Sequence, residues 1–162
     1  MASAPVHPTL ESLKWILGKW TSTNGVCIFP TMKEVKYSED VEFFQVGQPN
    51  IQFSYNSYDV EKKKPLHREI GFIRIQPGTN KIGFLTAHNN GVTSVEEGEV
   101  NNEEIKTESH TVGRLTFGSD PETKKLSRVI KKVGDELEQI VYMETNNTPL
   151  SEHLRIRYKR VE

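Results

Sequence analysis

The chain has 162 residues, the span of one ordinary domain, and its 21 basic and 22 acidic side chains leave a formal charge of −1. That balance excludes the broad positive field a nucleic-acid binder needs, and no apolar run approaches the roughly eighteen residues of a membrane helix. Cys27 is the single cysteine, so neither an intrachain disulfide nor a paired-cysteine zinc knuckle can form. With no basic-then-apolar leader at the N-terminus, the expected location is cytoplasmic, and the small size also admits passive entry to the nucleus.

Residues 1–8 read as a flexible lead-in and residues 9–162 as one domain. Thr9 to Trp20 predicts a short amphipathic helix: Thr9 is its N-cap, Leu10, Leu13, Ile16 and Leu17 share a face, and Gly18 stops it. Turn signals then recur every few residues, among them Asn24-Gly25, Lys64-Pro65, Pro77-Gly78, Asn89-Asn90-Gly91, Asp120-Pro121 and Gly134-Asp135. Between them, Val35, Tyr37, Val41 and Phe43 alternate with Glu34, Lys36, Asp40 and Glu42, and Ile51, Phe53 and Tyr55 alternate with polar neighbours. Further strands are predicted at 68–75, 81–88, 92–100, 105–117, 126–133, 137–144 and 153–161. About ten strands and one early helix predict an all-β fold, a single antiparallel β-barrel, because closure removes the two edges that an open sheet would expose. A barrel of this size has room for a ligand but does not name it.

Five histidines, His7, His67, His88, His110 and His153, are the obvious metal-competent side chains. No two stand three or four apart, so spacing gives no two-histidine zinc centre. Signatures of acyl hydrolases, P-loop enzymes and dinucleotide binders are missing. The acidic run Glu96-Glu97-Gly98-Glu99 reads as a solvated face, as do Lys62-Lys63-Lys64 and Arg155 to Arg160. Arg74 and Arg114 are strand arginines that could reach an acidic ligand group.

Longer blocks carry a family resemblance. WILGKW at 15–20, FPT at 29–31, VGQPNIQFSYNSYD at 46–59, KPLHREIGFIRI at 64–75, VEEGEV at 95–100 and HLRIRYKRV at 153–161 resemble the nitrobindin family, closest to the animal form that elsewhere follows a THAP zinc finger. The resemblance implies a barrel like that of fatty-acid-binding proteins carrying haem b, with His153 as the axial iron ligand and the route to catalysis. It further implies haem contacts from Thr31 and His67, conversion of peroxynitrite to nitrate at ferric haem, and nitric oxide binding. Ser22 and Asn24 stand where the family pattern has glycines, and one cysteine cannot furnish the zinc finger, so DNA binding is not carried over. No protein partner can be inferred. Two other functions fit the same barrel: a non-enzymatic carrier of a fatty acid or similar lipid, and a nitric oxide sensor or transporter. Period two groups His153 with Arg155 and Arg157 on the wet side, so an inward His153 requires a bulge that resets the phase or arginines lying beyond the pocket.

Overall fold

The computed structural model describes residues 5–28 and 33–161. Ten antiparallel strands follow one another as a meander: β1 (Gly18–Cys27), β2 (Val35–Gln45), β3 (Asn50–Asp59), β4 (Pro65–Ile75), β5 (Lys81–His88), β6 (Val92–Asn101), β7 (Glu104–Arg114), β8 (Thr123–Val133), β9 (Glu136–Thr145) and β10 (Ser151–Arg160). β1 pairs with β10, and the sheet is thereby a closed barrel, as the turn spacing predicts.

The predicted helix is present but shorter and tighter. It is a 3₁₀ helix over Pro8–Ile16, capped by His7, whose Nδ1 accepts from the Thr9 amide at 3.1 Å. Proline suits the first turn, where its missing N–H is not needed. Thr9 is therefore inside the helix rather than its cap, and Trp20 belongs to β1. Gly18 makes the switch from helix to strand at φ 119°, which side-chain-bearing residues rarely adopt. Of the lead-in, Pro5 and His7 are tied to β2, their backbones bonding the side chain of Gln45.

The helix plugs one end of the barrel. Leu10, Leu13 and Ile16 are fully buried, and the Trp20 indole donates to the Ile16 carbonyl at 2.8 Å. Above the plug lie Ile51, Phe53, Ile73, Phe84, Ile105 and Ile130, the inward members of their alternating strands. β7 ends at Arg114, short of the predicted 117, and Phe117 stands exposed in the loop to β8. Leucine and phenylalanine there mimic a strand pattern without having a partner strand.

Candidate functional site

The opposite end of the barrel holds a cavity of about 470 Å³. Its walls combine apolar side chains, including Val35, Leu66, Leu126, Val141, Met143 and Leu154, with His67, His88 and His153. The loop from β7 to β8 contributes Gly118 to Glu122 at the rim.

His153 reaches this cavity because the strand is broken. In the β10–β9 ladder Glu152 faces Tyr142 and Leu154 faces Val141, leaving His153 as the extra residue of a bulge. The bulge lets His153 and Leu154 both line the cavity, while Arg155 and Arg157 beyond it are exposed and Ile156 and Tyr158 point into the core. This resolves the parity conflict in the sequence. The Ile28 amide donates to the His153 carbonyl at 2.7 Å, and His153 Nδ1 lies 3.1 Å from the Ile28 carbonyl oxygen. A carbonyl can only accept, so Nδ1 carries the proton and Nε2 carries the ring's lone pair. Burial pushes the His153 pKa below its ordinary value, further helped by the nearby His67 charge and partly opposed by the Ile28 bond. The imidazole is neutral at neutral pH.

His67 is placed by a second irregularity, between β3 and β4. There the Ser57 hydroxyl accepts from the His67 amide at 2.9 Å and donates to its carbonyl at 3.0 Å, replacing the broken ladder. Two residues on, and so on the same face, stands Glu69, which is the cross-strand partner of His88. Spacing in sequence gives no two-histidine group, yet the sheet brings His67 and His88 to 3.3 Å, Nε2 to Nδ1. Burial disfavours charge on His67, but its bond to Glu69 and the negative charges of Glu69 and Glu39 together outweigh that and hold its pKa up. His7, at the helix cap, and His110, an exposed bulge residue 3.4 Å from Glu97, take no part. Thr31 lies outside the described residues.

Beneath the cavity is a buried polar layer. Arg128 of β8 bonds Glu96 of β6 through Nε and Nη2, Glu69 of β4 through Nη2, and Gln139 of β9 through Nη1, all at 3.2 Å. Its guanidinium stacks between Tyr55 and Phe84, with ring centroids 5.5 and 5.2 Å away. Gln139 accepts from Tyr55 at 2.8 Å and donates to Tyr158, which donates in turn to Glu39. Glu96 is fully buried, which corrects its reading as part of a solvated acidic face. Only Glu97 and Glu99 of that run bear it out, because alternation turns every second residue inward. Burial penalises charge on Glu69, but Arg128 and the two histidines overcome it and hold the carboxyl well below the usual range. Burial pushes Glu39 the other way, up to about 7, because its bond from Tyr158 offsets only part of the desolvation. Sequence reading missed Arg128, Glu69 and Glu39. The available signal was a charged residue on the apolar parity of its strand, as for Arg128 between Leu126 and Ile130.

A closed ten-stranded barrel with a histidine-bearing cavity at one end defines a ligand-binding β-barrel. The chain belongs to the family of the THAP4-like, heme-binding beta-barrel domain, whose model matches residues 9–160. The nitrobindin resemblance is thereby established. Curated relatives include peroxynitrite isomerase THAP4 of Rattus norvegicus, 44% identical over 96% of this chain and 28% of that protein. Peroxynitrite isomerase 2 of Mycobacterium ulcerans is 32% identical over 97% of this chain and 98% of that one. The crystal structure of Rv2717c from M. tuberculosis superposes with a TM-score of 0.87 at 28% identity, covering 98% of this chain and all of the other. The chain spans little more than a quarter of the THAP4 proteins.

Proposed function

We propose that this chain binds haem b through His153 and converts peroxynitrite into nitrate at the ferric iron, binding nitric oxide as a related property. The observation that carries the reading is the bulged, neutral His153, its Nδ1 proton held by the Ile28 carbonyl and its ring lining the cavity. A histidine ligand needs this tautomer, and a carbonyl on the other ring nitrogen is the usual way to fix it.

The residues present fit a haem. Val35, Leu66, Leu126, Val141, Met143 and Leu154 offer apolar walls to a porphyrin. The Tyr37 hydroxyl, which lines the same cavity, is buried without a hydrogen-bond partner among the described residues, as expected of a group that meets a ligand. When bound, ferric haem supplies a Lewis-acidic iron at which peroxynitrite rearranges to nitrate with no net electrons. The chain's part is to hold His153 neutral and oriented, to keep water from the apolar walls, and to keep His67 at the cavity with its Nε2 engaged by Glu69. The relatives named for this activity support the assignment.

The carrier alternative needs a cation for a ligand carboxylate. Arg128 is already satisfied by Glu69, Glu96 and Gln139, and Arg114, which lines the cavity, bonds the Gly118 carbonyl and lies 3.7 Å from Glu122. Hemin titration tests the haem reading. The expected result is a Soret band that saturates at one equivalent in the wild type and in His7→Ala, and loss of tight binding in His153→Ala with an unchanged far-ultraviolet spectrum. A His153→Ala protein that keeps the wild-type Soret band contradicts the assignment.

A further inference from the structure

We infer that His67, Glu69 and His88 form a second metal site, a two-histidine, one-carboxylate centre for a tetrahedral divalent cation, with zinc(II) the best match. Three donor atoms make a nearly equilateral triangle. His67 Nε2 is 3.3 Å from Glu69 Oε1, His88 Nδ1 is 3.2 Å from the same oxygen, and the two nitrogens are 3.3 Å apart. Ligands at the zinc distances of 2.0–2.1 Å in a tetrahedron lie about 3.3 Å from one another, whereas an octahedral magnesium site asks for about 3.0 Å and oxygen donors. The triangle is one face of the zinc tetrahedron, formed by donor types that suit it.

His88 Nε2 lies 3.1 Å from the Ser94 hydroxyl, so the ring is held with Nδ1 turned toward Glu69 and His67, where one cation could engage all three donor atoms at once. The surroundings are those of a built site. Arg128 holds Glu69 by its other oxygen, Oε2, at 3.2 Å, and Ser94 fixes the His88 ring, so two of the ligands are oriented from outside the triangle. His88 is nearly buried at 5% side-chain exposure while His67 is 35% exposed, and all three residues line the cavity. The fourth tetrahedral position therefore opens into the space that His153 also faces, the arrangement of zinc sites that keep a water or take a small anion. A Lewis acid there would stand within the same cavity as the group His153 holds.

The test uses the haem-free full chain, stripped with chelator, so its outcome is independent of the haem assignment. Titration with cobalt(II) chloride is expected to give the intense visible bands of tetrahedral cobalt, saturating at one equivalent and bleached by one equivalent of zinc(II). His88→Gln should weaken cobalt binding by about a hundredfold or more, and His153→Ala should leave it unchanged. Should His88→Gln fail to show the wild-type far-ultraviolet spectrum, His67→Gln, on the more exposed side of the triangle, carries the same comparison. No saturable binding, the pale spectrum of six-coordinate cobalt, wild-type affinity in the ligand variant, or loss of binding in His153→Ala overturns the site.

Discussion

Glu39 shows how much one buried side chain can bias the molecule. It is 5% exposed on β2, accepts from Tyr158, and burial raises its pKa from 4.5 to about 7. In the unfolded chain the carboxyl ionises near 4.5, so between that pH and about 7 the unfolded state has lost a proton that the native state keeps. Native stability therefore falls as pH rises through this window, by on the order of 3 kcal/mol. Glu39→Gln keeps an acceptor for Tyr158 and removes the titration. The variant should gain stability relative to the wild type as pH goes from 4 to 8, by roughly that amount, as read from urea midpoints at each pH. A difference that does not change with pH would contradict the raised pKa. Cys27 illustrates the same force on another group: burial pushes its thiol up to about 11, so little of the reactive thiolate exists at neutral pH.

At the scale of elements, the helix and the bulges do opposite work. The helix seals one end with Leu10, Leu13 and Ile16, and the bulges loosen the ladders at the other so that side chains can be re-aimed. Leu13→Ala should cost about 2–5 kcal/mol in urea unfolding while leaving the hemin stoichiometry and Soret position unchanged, since the plug and the cavity are at opposite ends. A shifted Soret band would mean that the two ends are coupled. The strands themselves were legible because period-two alternation and turn residues are local. Lys81 to His88 is read to the residue, and most other ends fall within three positions. What was not legible depends on register. His153 faces the cavity only because Glu152 and Leu154 take consecutive partners on β9, and His67 meets His88 only because Glu69 pairs with His88 across β4 and β5. Neither pairing leaves a trace in sequence spacing. Glu96 and Arg128 escaped for a related reason, since a lone charged residue reads as surface until its inward parity and its partner are both known.

For the whole molecule, the barrel divides into a dry aromatic and aliphatic floor, a polar layer centred on Arg128, and a histidine-lined cavity. The polar layer draws on β2, β3, β4, β6, β8, β9 and β10, so it ties most of the wall together beneath the cavity. Family membership places this chain among haem-binding barrels, the 0.87 superposition gives it the fold of Rv2717c, and the proposed activity makes that architecture a ferric haem site for an anionic oxidant. The most direct measurement is nitrate yield and decay rate of peroxynitrite with the Cys27→Ser protein, compared with and without bound ferric haem. Cys27→Ser removes direct thiol oxidation as a competing route. The haem-loaded protein should speed decay and raise the nitrate share, cyanide should suppress both by occupying the iron, and the haem-free protein should do neither. Equal rates with and without haem, or activity untouched by saturating cyanide, would contradict an isomerase that works through His153-held iron.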